Sequence, residues 1–152
     1  MLFRSLRNLH DVFGEIDPVR RRAAIDEIFH EDAVFYDPNN GVHRGRDEID
    51  RVAGAIKATH PDFQYQPIAE PEELGNGGRV RWVSGRPGEA PAYAGTDFII
   101  VRDGRIAAVY RFFDKQQLVS AAGLKSATAS PVGRSPLESF WRPPGPGVIR
   151  CT

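Results

Sequence analysis

Leu2, Phe3, Leu6, Leu9, Val12 and Phe13 recur at helical spacing, so residues 2–14 read as an amphipathic helix. Asp17 followed by Pro18 supplies the N-cap and first-turn proline of a second helix, 18–30. That helix turns Ala24, Ile25, Ile28 and Phe29 inward and leaves Arg20, Arg21 and Arg22 on a solvated face. A strand over 33–37 ends at the breaker cluster Pro38-Asn39-Asn40-Gly41. A third helix, 46–59, is built on Ile49, Val52, Ala53 and Ile56 and stops before Pro61.

From there the period changes to two. Strands are expected at 62–69, 78–86, 91–102 and 105–114, with turns at Asn76-Gly77, Pro87-Gly88-Glu89 and Asp103-Gly104. Three helices followed by an antiparallel meander predict an α+β fold, with the helices on one face of a curved sheet. A short helix near 115–122 closes the domain, 1–123. Residues 124–152 hold five prolines and three glycines with little periodicity, which reads as an extension rather than core. Its Leu137, Phe140 and Trp141 are expected to dock on the body or a neighbour.

Strand alternation assigns directions. Ala33, Phe35 and Asp37 share a face, as do Val80, Trp82 and Ser84. Tyr93, Gly95, Asp97, Ile99 and Val101 share the inner face of the next strand, opposite Ala107, Val109, Arg111 and Phe113. Asp97 is thus either an ion-pair partner of Arg111 or a carboxyl acting in a cavity. Asp37 either starts a turn or faces the same cavity. The outer face carries Phe98, Ile100, Tyr110 and Phe112, an apolar surface expected to pair with a second copy.

Composition narrows the partners. Net charge is zero, split between a mildly acidic body and a basic extension, and no basic stripe favours nucleic acid. No apolar run is long enough to span a membrane. Arg4 and Arg7 interrupt any signal-peptide core, and the single cysteine, Cys151, allows no internal disulfide, so a cytoplasmic location is expected. His10, His30 and His60 show no ligand spacing, so no metal is expected. Gly75-Asn76-Gly77-Gly78 reads as a hairpin turn rather than a phosphate loop, and Ser84 is not in a nucleophile elbow. His43, beyond the Asn-Asn-Gly turn, either tunes Asp37 and shuttles a proton or lies at the rim.

The segments FHEDAVFYDPNNGVHRGRDEI, at 29–49, and GTDFIIVRDGRIAAVYRFFD, at 95–114, resemble the SnoaL-like branch of the nuclear-transport-factor-2-like superfamily. The resemblance implies a cone: a curved antiparallel sheet wrapped by three helices around a deep pocket. Ketosteroid isomerases and polyketide cyclases of that superfamily use acid–base chemistry without a cofactor. By motif, Asp37 resembles their proton-abstracting base and Asp97 their neutral carboxyl donor. Phe13 stands close to where those isomerases carry a tyrosine. Asp37, Arg111 and Asp97 are also the residue types that limonene-epoxide-hydrolase relatives gather around a water.

The expected catalytic set is Asp37, Asp97, Arg111 and His43. The expected substrate contacts are Phe13, Phe35, Trp82, Tyr93, Ile99, Val109 and Phe113, enclosing a small apolar ketone- or polyketide-like molecule. The competing expectation is a ligand-binding or dimerisation domain of the same fold in which Asp97–Arg111 is a structural pair.

Overall fold

The computed structural model describes residues 2–114. The closing helix expected at 115–122, the extension 124–152 with its docking residues, and Cys151 lie outside the described residues. Helix α1 (Leu2–Arg7) runs into a π-helical segment (Asn8–Phe13). The wider winding there buries Asn8, Leu9, Val12 and Phe13 together. Gly14 ends it, since a Cβ at that position would lie 2.8 Å from the His10 carbonyl oxygen.

Helix α2 (Pro18–Ile28) is capped by Asp17, whose carboxylate accepts from the Val19 and Arg20 amides. Strand β1 (Phe29–Asp37) starts earlier than the sequence pattern suggests, because Phe29 adopts extended backbone. Strand β2 (Gly41–Arg44) forms a hairpin with β1 around the Pro38–Asn40 turn, and helix α3 (Arg46–Thr59) follows. Four further strands were expected and five form: β3 (Gln64–Pro67), β4 (Glu72–Leu74), β5 (Gly77–Gly85), β6 (Tyr93–Arg102) and β7 (Arg105–Phe113).

The strands make one sheet in the order β2-β1-β7-β6-β5-β3, with β4 also on β5. The expected α+β architecture is present, and one pairing departs from antiparallel. β1 lies parallel to β7, with Phe35 opposite Val109 and Tyr36 opposite Tyr110. First and last strands are far enough apart in sequence for the intervening chain to make that crossover.

The core fills the space between the helices and the inner sheet face. Phe13, Ile25, Phe29, Phe35, Ile49, Ile99, Ile106 and Val109 are fully buried there. Burying each large apolar side chain stabilises the fold by about 1.5–3 kcal/mol, and among the described residues this cluster is the larger of two.

Two directional expectations are corrected. A register shift in the β6–β7 ladder sets Val101 against Ile106 and leaves Ala107 unpaired. Ile106, not Ala107, therefore enters the core. Arg21 is not solvated. It is 8% exposed, and its Nε donates to Asp50 Oδ1 at 2.8 Å, joining α2 to α3. On the outer face Phe98 and Phe112 are exposed, and Tyr36 stacks on Tyr110 with ring centroids 4.5 Å apart. Among the described residues no helix is long and apolar enough to cross a membrane.

Candidate active site

Asp37 closes β1 and is 5% exposed. Its Oδ1 accepts from the Asn39 amide at 2.8 Å and its Oδ2 from the Asn40 side-chain amide at 2.7 Å. The turn-forming reading of this acid therefore holds, and the cavity-facing one holds with it. Asp37 lines a cavity of about 310 Å³ together with Phe13, Tyr65, Trp82, Tyr93, Arg111 and Phe113. That volume lies at the small end of the range for ligand sites. Among the described residues the cavity is not sealed. Exposed Ala55, Thr59 and Tyr93 are among its lining residues.

Arg111 lies opposite Asp97 in the β6–β7 ladder. Its Nε donates to Asp97 Oδ1 at 2.9 Å and its Nη2 to Oδ2 at 2.8 Å, a bidentate pair with both side chains out of solvent. Trp82 Nε1 donates to Oδ1 at 3.1 Å, and Asn8 Nδ2 lies 3.4 Å from Oδ2. Around the guanidinium stand the rings of Phe13, Trp82, Tyr65 and Phe35, the nearest with its centroid 4.2 Å away. Burial works against the Arg111 charge, yet the Asp97 carboxylate outweighs it and holds the guanidinium pKa above its ordinary value. Some guanidinium N–H groups remain without a protein acceptor among the described residues, and Arg111 lines the cavity.

Asp97 itself is not a lining residue. It is fully buried behind Arg111, with four donor atoms around its oxygens. The ion-pair reading describes its position, and the expectation of a carboxyl opening into the cavity is corrected. Phe35, Ile99 and Val109, expected at the ligand, belong to the core beneath it. His43 is 8% exposed, stacks on Phe35 and donates from Nε2 to the Asn40 carbonyl at 2.9 Å. It is not a lining residue and reaches Asp37 only through Asn40.

Tyr65 and Lys57 are among the lining residues absent from the expected site. Tyr65 accepts from Arg111 Nη1 at 3.3 Å and meets Trp82 edge-on. Burial pushes the Tyr65 phenol pKa up; the Arg111 charge opposes this, and the Asp97 and Asp37 charges reinforce it. The phenol is therefore a proton-bearing donor at neutral pH. Only its alternation between Gln64 and Gln66 signalled an inward direction. Lys57, in the last turn of α3, is 8% exposed and donates to the Phe63 carbonyl at 2.6 Å. Burial lowers its pKa, and the Glu15 and Asp62 charges offset this only in part. At the rim, His60 stacks on Phe63, and its Nε2 lies 3.3 Å from the Tyr93 hydroxyl. Among the described residues no group of three or more His, Cys, Asp or Glu is placed to hold a metal ion.

Comparisons with known proteins bear on the fold and the family. A candidate isomerase of the SnoaL-like family from Agrobacterium tumefaciens is 25% identical and superposes with a TM-score of 0.69, over 74% of this chain and 96% of that one. A candidate polyketide cyclase from Sinorhizobium meliloti is 27% identical, with a TM-score of 0.54 over 69% of this chain and 91% of that one. An NTF2-like protein from Cytophaga hutchinsonii shares the fold at 16% identity, with a TM-score of 0.53 over 78% and 91% of the two chains. A search of curated proteins finds no match. The SnoaL-like domain family matches residues 6–109, a span that begins in α1 and reaches Val109 in β7. With the three helices and the curved mixed sheet arranged as they are, this chain belongs to the SnoaL-like domain family.

Proposed function

We propose that the protein is a cofactor-independent acid–base enzyme acting on a small carbonyl compound, by proton removal next to the carbonyl. The observation that supports this is the presence of Asp37 and the Arg111–Tyr65 donor pair on the wall of one cavity. In the proposed step an Asp37 oxygen takes the proton from carbon. The C–H electron pair moves toward the carbonyl, and the resulting enolate oxygen accepts hydrogen bonds from the Tyr65 O–H and a free Arg111 N–H. Asp37 then returns the proton to the same or another carbon. Asp97 holds the guanidinium plane in place and does not touch substrate. Phe13, Trp82 and Phe113 supply the apolar walls.

Deuterium uptake next to the carbonyl of cyclic ketones in heavy water, followed by NMR, tests the reading without knowledge of the natural substrate. The wild type should accelerate exchange for at least one ketone, and Asp37→Asn should lower that rate by about 100-fold or more. A wild type no faster than buffer, or a variant as fast as wild type, rejects the chemistry.

A second reading has its own support. Asp37 is already held by its own turn and Asp97–Arg111 is a closed pair, as in a binding protein without a reaction. Ligand binding with no exchange is its signature.

A further inference from the structure

Three charged side chains line the cavity besides the His60 imidazole: Asp37, Lys57 and Arg111. Arg111 is matched by Asp97. Asp37 is held by the two amides of its turn. Lys57 is different, because no carboxylate among the described residues lies within ion-pair distance of its ammonium. The two acids whose charges act on it are engaged elsewhere, Glu15 with the Asp17 amide and Asp62 with Arg86. The carbonyl of Phe63 and the C-terminal turn of α3 make the position tolerable for a cation, but neither cancels the charge. A buried cation without a counter-ion is costly, so a cavity that retains one is complementary to an anion. His60 lies at the same end, and a run of ring contacts through Tyr93, Phe113 and Trp82 leads from there to Arg111.

We infer that Lys57 is a carboxylate-recognition residue, and that the ligand class is a small oxo-carboxylic acid. Its carboxylate sits at Lys57, its apolar body lies against Phe13, Trp82 and Phe113, and its carbonyl oxygen faces Arg111 and Tyr65. The placement of the carbonyl rests on the proposed chemistry, whereas the demand for an anion does not. The lowered Lys57 pKa fits the same picture, since the folded protein alone supplies too little negative charge to offset burial.

Matched probes separate the two ideas: cyclohexanone carboxylate, its methyl ester and cyclohexanone, titrated calorimetrically into the full chain. Wild type should bind the acid at least about ten-fold tighter than the ester. Lys57→Met should bind acid and ester alike, and Lys57→Arg should recover part of the preference. Equal wild-type affinity for acid and ester overturns the inference, as does a preference that survives in Lys57→Met or no measurable binding of any probe. If Lys57→Met fails to fold, the wild-type comparison decides alone. An acid preference without deuterium exchange keeps the carboxylate site and rejects the proton-transfer chemistry. Exchange without an acid preference does the reverse.

Discussion

Arg111 shows how one side chain can belong to a buried ion pair and to a cavity wall at once. Its guanidinium spends two donors on Asp97 and one on Tyr65 while four aromatic rings surround it. Removing one partner from such a pair strands a charge without water. Asp97→Asn should therefore lower unfolding free energy by about 3–5 kcal/mol, read from chemical denaturation. The contribution of Arg111 should not vary through neutral pH. A folded-state pKa above the ordinary value means that the stabilisation is complete below the normal guanidinium range and fades only above it. Alternation alone placed Asp97 and Arg111 on one face, because the strand period is two and both strands are regular there. It did not show that Asp97 would be screened from the cavity, since depth behind another side chain leaves no mark on periodicity. Tyr65 and Lys57 were missed for a related reason. Each sits in a stretch that reads as polar, and only three-dimensional packing turns its tip inward.

At the level of elements, helix α3 was legible to its ends because apolar stripe and breakers agree at both termini. The short strands β2 and β4 were not, since a few residues carry too little pattern to register. At the α2-to-β1 junction the helix ends two residues before its expected end and the strand starts four residues before its expected start, because Phe29 fits the buried stripe of either element. The β5–β6 ladder adds a spatial constraint that no pattern shows. Gly95 lies opposite Trp82, and a Cβ there would fall 2.7 Å from the indole ring and press on the Phe112 carbonyl. Gly95→Ala should cost about 1–3 kcal/mol by denaturation and change the near-ultraviolet circular dichroism of the tryptophans. An unchanged spectrum with full stability would mean that the ring has room to move.

For the molecule as a whole, the fold class followed from element order, but the parallel contact between β1 and β7 did not. A strand's composition says which face is buried and is silent about which neighbour it takes. The outer sheet face leads to the remaining prediction. Phe112 is 59% exposed, beside Phe98 and the stacked Tyr36–Tyr110 pair. We propose that a second copy covers this surface, as its apolar content demands some cover. Phe112→Glu should then shift light-scattering mass from dimer to monomer without loss of helix signal. A wild type that is monomeric at high concentration would remove the idea.

The adjacency of β1 and β7 also governs when the site comes into being. Asp37 lies near the beginning of the chain and Arg111 at the far end of the last described strand, and a register set by Tyr36 and Tyr110 brings them together. A nascent chain on the ribosome therefore carries its acid long before its guanidinium, and the cavity wall that joins them forms only when β7 emerges and zips alongside β1. Closing so long a span is slow compared with local helix formation. Ligand capacity should consequently arrive in a single late step during synthesis, and fragments truncated ahead of that strand should have none.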